Sequence, residues 1–183
     1  LADGISETNI TAELVDINKT PISGKTISFS ATVGQIENSK ITDNFGKAKV
    51  KFTSTASNTD ITSKITASIE SSVLDKIGKH SNIQDLIEDT LYITLKGIVL
   101  EVESSPSTII ADGISKTKIT ARLKTFSSEV LVDKAITFET NLGVLSSQSA
   151  ITDTAGEAKV NLTSSTVPGR AIVTVSYGNK IMK

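Results

Sequence analysis

Apolar and polar residues alternate along this chain in short runs, and the runs fall into two sets. In the first set Ile10, Ala12 and Leu14 are separated by Thr11 and Glu13, the period-2 pattern of a strand with one wet face. Ile27, Phe29, Ala31 and Val33 alternate next and stop at Gly34, followed by Ala48, Val50 and Phe52, then Ile65, Ala67 and Ile69, and last Leu91, Ile93 and Leu95. The second set runs through Ile98, Leu100 and Val102; Ile119, Ala121 and Leu123; Ile136, Phe138, Thr140 and Leu142 before Gly143; Ala158, Val160 and Leu162; and Val173, Val175 and Tyr177. Short strands at roughly ten-residue spacing, with turn residues between them, predict antiparallel sandwiches. Phe29 and Phe138, each in the middle of its strand, are the expected core anchors.

The two sets are copies. Ile41 to Val50 (ITDNFGKAKV) returns as Ile151 to Val160 (ITDTAGEAKV), and Ala2-Asp3-Gly4-Ile5-Ser6 returns as Ala111-Asp112-Gly113-Ile114-Ser115, 109 positions later. A period this long marks whole repeated domains and not solenoid units. The boundaries read from the repeat are 1–97 and 98–183, with Gly97 alone between the last strand of one and the first of the next. Leu1 aligns with Ile110, so the strand from Ile98 to Val102 has no partner in the first copy. The first domain is therefore expected to lack its opening strand, the second its closing one, and the parent protein to extend upstream.

One stretch breaks the alternation. Between about 72 and 90, Ile83, Leu86, Ile87 and Leu91 fall at helical spacing, and Ser81 with Gln84 has the form of a capping box. The spacing predicts a helix over Asn82–Asp89, preceded by a shorter one over Val73–Ile77 that stops at Gly78. Ile83, Leu86 and Ile87 would form its apolar face, packed on an edge of the first domain or offered to a partner.

Composition narrows the chemistry. Lys and Arg number 19 against 20 Asp and Glu, leaving no basic field for nucleic acid. The apolar runs are only a few residues long, so none spans a membrane. Cys and Trp are absent, which removes disulfides, thiolate chemistry and the Cys…Trp…Cys core of antibody domains. His80 is the single His, so no His-paired metal site and no repeated Ser-His arrangement can form within the chain. Asp43 and Asp153 open the repeated Asp-x-x-Gly turns. They lack the spacing of a Ca²⁺ loop, and an Asp accepting N–H bonds inside its own turn accounts for them. Asp112 with Glu101 and Glu103 is a candidate interdomain cation site. No cofactor and no catalytic residue is expected.

The order of these motifs resembles the bacterial immunoglobulin-like domains, group 1, of invasin and intimin-type surface proteins. The elements that carry the resemblance are Ser105-Pro106-Ser107-Thr108-Ile109-Ile110-Ala111-Asp112-Gly113, Ile119-Thr120-Ala121, Ile136-Thr137-Phe138 with Leu142-Gly143, and Thr152-Asp153 through Val160. They cover nearly all of the second domain and, from Ala2, most of the first. The resemblance implies two tandem immunoglobulin-like β-sandwiches, the first interrupted by a short helical insertion that departs from the family pattern. It implies a non-enzymatic stalk at the bacterial cell surface, flanked by further repeats of the same kind and projecting an adhesive element. The alternative function is direct binding of a host surface protein or glycan through the helical insertion of the first domain.

Overall fold

Each alternating run becomes a strand, because one edge-to-edge ladder and one buried face satisfy both its backbone and its apolar side chains. The structure is a computed structural model that describes residues 1–69 and 87–182. It divides into two units, one made of Ile5–Thr55 and Ile61–Leu95, the other of everything from Lys96 onward together with Leu1–Gly4 and Ala56–Asp60. They are called here the N-terminal and C-terminal units.

The N-terminal unit holds β1 (Glu7–Glu13), β2 (Thr26–Ala31), β3 (Gln35–Ile36), β4 (Ser39–Ile41), β5 (Lys47–Thr53), β6 (Ile61–Ile69) and β7 (Ile87–Leu95). They form two antiparallel sheets, β1-β5-β3 and β4-β2-β6-β7. Ile10, Val50 and Phe52 from the first sheet and Ile27, Phe29 and Ile65 from the second are buried.

The C-terminal unit holds β8 (Ile98–Ser105), β9 (Lys116–Thr125), β10 (Ala135–Thr140), β11 (Val144–Leu145), β12 (Ser149–Ile151), β13 (Glu157–Thr163), β14 (Val173–Tyr177) and β15 (Lys180–Met182). Its sheets are β11-β13-β9-β8 and β12-β10-β14-β15. One core cluster joins Ile98, Leu100, Leu123 and Val160 of the first sheet to Ile136, Phe138, Val175 and Tyr177 of the second. Phe138 and Phe29 are both buried, as their central positions predict.

Strands β9 to β14 repeat β1 to β6 in order and pairing. Among the described residues of the N-terminal unit, β8 has no counterpart: β9 pairs with β8 on one side and β13 on the other, whereas β1 pairs with β5 alone. The repeats also differ in the hairpin that closes the second sheet. Gly178 and Asn179 alone connect β14 to β15, where the first repeat has residues 70–86 between β6 and β7.

The expected helical insertion is overturned. No helix occurs among the described residues, and Ile87–Thr90, assigned by spacing to the insertion and its helix, begin the nine-residue strand β7. The rest of the expected helices, with Ile83 and Leu86, lies outside the described residues. Ile87 and Leu91 fit a helical stripe, but together with Ile93 and Leu95 they also fit a period of two, and short apolar runs do not discriminate. Tertiary pairing decides: β6 offers an edge along its whole length, and the ladder runs without a break from Ile61 opposite Leu95 to Ile69 opposite Ile87.

Candidate functional site

The repeated turn ties its carboxylate into the backbone. Asp153 Oδ1 accepts the N–H groups of Ala155 at 2.9 Å and Glu157 at 3.0 Å. In the first repeat Asp43 Oδ1 accepts those of Phe45 at 2.8 Å and Lys47 at 2.9 Å. The turn closes on glycine at φ +73° at Gly156, where an added Cβ would stand 2.7 Å from the Leu123 carbonyl oxygen. The N–H groups of Glu157 and Ala155 hold the Asp153 carboxyl below its usual range, and Lys159 adds to this. These oxygens are already engaged in the turn, which is the role the Asp-x-x-Gly spacing predicts.

The second copy of Ala-Asp-Gly makes a tighter corner. Asp112 Oδ1 accepts Ser115 N–H at 2.7 Å, Ile114 N–H at 2.9 Å and the Ser164 hydroxyl at 3.0 Å, while Oδ2 accepts the Ser115 hydroxyl at 2.7 Å. Ser115, through hydroxyl and N–H, is the main reason the Asp112 carboxyl titrates far below the ordinary range, with Ile114 next. Of its proposed cation partners, Glu101 faces Lys124 Nζ at 2.7 Å. Among the described residues no three acidic or His side chains gather at one point.

The first copy of the motif stands in different surroundings. Asp3 is buried within the C-terminal unit, where it accepts the Tyr177 hydroxyl at 3.4 Å and its carbonyl oxygen accepts Asn179 N–H at 3.0 Å. Burial first, and then the Asp3 charge, push the Tyr177 phenol upward. Sequence reasoning missed this pair. The only available signal was a Tyr where the first repeat has Ile69.

Across β8, β9 and β13 runs a row of charges: Glu101 with Lys124, Arg122 with Glu157, and Lys159 bridging Glu157 at 2.7 Å and Asp153 at 3.4 Å. Lys159 and then Arg122 hold the Glu157 carboxyl low. Each charge has a neighbour of opposite sign, so the row is a solvated ladder and not a field aimed at a ligand.

Each unit carries a cleft among its described residues. That of the C-terminal unit measures about 580 Å³, with Val102, Ile109, Leu162 and Val173 among its walls and Glu103 and Arg170 as its charged members. That of the N-terminal unit is about 310 Å³, with Ile10, Leu14, Ile27, Phe29, Ile65 and Ile69 among its walls and Glu13 and Asp89 as its charged members. Of the residues the sequence offers as a partner-binding face, Ile87 is half exposed on β7, while Ile83 and Leu86, like His80, lie outside the described residues.

Both repeats find the same match among known proteins. The family described as bacterial Ig-like domain (group 1) matches residues 1–78 and again 99–183. Intimin from Escherichia coli O127:H6 (strain E2348/69 / EPEC) is 31% identical over 154 residues, covering 84% of this chain and 15% of intimin. The chain thus spans a small fraction of that relative's length. Among solved structures, the D0-D1 domains of intimin are 25% identical, covering 98% of this chain and 86% of theirs, with a TM-score of 0.41. Invasin, a bacterial integrin-binding protein, is 25% identical over 96% of this chain and 34% of its own, with a TM-score of 0.42.

Proposed function

Because the chain belongs to the bacterial Ig-like domain (group 1) family, we propose that its two sandwiches are spacer modules of a bacterial surface adhesin of the invasin and intimin kind. They hold an adhesive element away from the cell and set its direction, with further repeats as their neighbours in the parent chain. No catalytic step belongs to this role. The observation that carries the reading is that the family match recurs over both repeats. The carboxylates at the repeated Asp-x-x-Gly and second Ala-Asp-Gly turns support it, since they are spent on their own backbone and neighbours and not presented to a ligand.

The test is a replacement in the parent adhesin. Deleting residues 1–183 reduces adhesion of the intact bacterium, and inserting an unrelated pair of immunoglobulin-like domains of equal length restores it. A spacer tolerates that exchange. If the isolated chain itself binds host cells, a host surface protein or a glycan, and the unrelated pair does not restore adhesion, the spacer role is refuted.

A further inference from the structure

The turn that joins β14 to β15 holds a short piece of the first repeat. Leu1–Gly4 belongs to the C-terminal unit, and there Ala2 and Asp3 are both buried. Asn179 gives its N–H to Asp3 O at 3.0 Å and its side-chain amide to Gly4 O at 3.2 Å, while the Tyr177 hydroxyl bonds to Asp3 Oδ2 at 3.4 Å. Backbone holds the same segment as well: Ala2 N–H bonds to Lys96 O at 2.7 Å, and Ala2 O accepts Ser57 N–H at 3.0 Å.

Two features of this contact depend on side-chain identity. Gly4 sits at φ +78°, and a Cβ added there would stand 2.4 Å from Asn179 Nδ2 and 2.9 Å from Asn179 Cβ. Asn179 therefore bars a side chain at that position, and a clash with the wrong occupant confers specificity as surely as a bond to the right one. Tyr177 sets a buried hydroxyl against a buried carboxylate, so an apolar residue in place of Asp3 would strand the hydroxyl.

The chain carries a second version of each half, and neither has its complement. Ala111-Asp112-Gly113 repeats the corner, with Gly113 at φ +80°, yet Asp112 is exposed and a Cβ added at Gly113 would meet only Thr166 Cγ2, at 3.0 Å. The left-handed glycine thus belongs to the corner itself, whereas the requirement for empty space beside it comes from Asn179. In the first repeat Ile69 stands where Tyr177 stands, and residues 70–86 take the place of Gly178-Asn179.

We propose that the Tyr177-Gly178-Asn179 turn is a docking site that selects the preceding repeat by its Ala-Asp-Gly corner, Asn179 rejecting a side chain at the glycine and Tyr177 requiring an acceptor at the aspartate. This rests on the reading of the repeats as modules in series and adds the rule by which one module accepts its neighbour.

The experiment follows amide exchange in the whole chain at Ser57 and at residue 179, the donors to Ala2 O and Asp3 O, with amides of β13 reporting that the fold is intact. Gly4→Ala is expected to speed both amides at least tenfold. Adding Asn179→Gly, which removes the obstructing side chain, should bring Ser57 back to within about threefold of the unaltered chain, whereas Asn179→Ala keeps its Cβ and should not. Tyr177→Phe should speed Ser57 several-fold. If the effects of Gly4→Ala and Asn179→Gly simply multiply, the corner suffers only from backbone strain and selection by Asn179 is overturned. Unchanged protection in Tyr177→Phe overturns the part given to Tyr177, and fast exchange of both amides in the unaltered chain overturns the docking site altogether. None of these outcomes depends on adhesion, so a failed spacer replacement and a failed docking rule are told apart.

Discussion

At Gly156 a left-handed φ and the nearby Leu123 carbonyl leave no room for a side chain, whereas Gly24, also at positive φ, has nothing within 4 Å of an added Cβ. Gly156→Ala should therefore cost about 2 to 3 kcal/mol and Gly24→Ala only about 1 kcal/mol, measured by urea denaturation. The carboxylates at this scale set the response to acid. Asp112, Asp153, Glu157 and Glu101 all titrate below their ordinary values in the folded C-terminal unit. A depressed carboxylate stabilises the fold above its unfolded pKa, and that contribution disappears as protons are forced on. The C-terminal unit should keep its thermal midpoint from neutral pH down to about 5 and lose it progressively below about pH 4. Asp112→Asn should flatten part of that acid limb, which a pH series of melting curves reads directly.

Strands were the most legible elements, for the same reason they are stable. The period-2 runs around Phe29 and Phe138 mark inward faces, and both side chains lie in the cores. Truncating either to Ala should cost about 3 to 5 kcal/mol in equilibrium unfolding. The Asp-x-x-Gly turn was equally readable, since its hydrogen bonds are local. Where the outcome depended on a distant partner, the pattern was silent or misleading. Ile87 and Leu91 satisfy both periods, and only the free edge of β6, remote in sequence, makes them strand. The Asp3 and Tyr177 contact joins residues at opposite ends of the chain, and no local spacing announces it. Hydrogen exchange tests the corrected element: amides from Ile87 to Leu95 should show alternating protection along β7, and uniform helical protection over Ile87–Asp89 would contradict the ladder.

At the scale of the whole molecule the two repeats are alike in strand order, yet the boundaries of compactness do not follow the boundaries of the repeat. Leu1–Gly4 and Ala56–Asp60 come from the first repeat in sequence but pack in the C-terminal unit, where Ala2 N–H bonds to Lys96 O and Ser57 O accepts Ile98 N–H. The backbone passes from one unit to the other on either side of Ala56–Asp60, as well as after Gly4 and before Lys96. A protein of this kind is not divisible by a single cut. A piece beginning at Ile98 takes away Asp3, the acceptor of the Tyr177 hydroxyl, and should melt several degrees below the same unit in the intact chain. A protease that severs the chain at Gly97 alone leaves Leu1–Gly4 and Ala56–Asp60 of the C-terminal unit on the N-terminal product, so a module cut at the repeat boundary parts with backbone that its own sandwich uses.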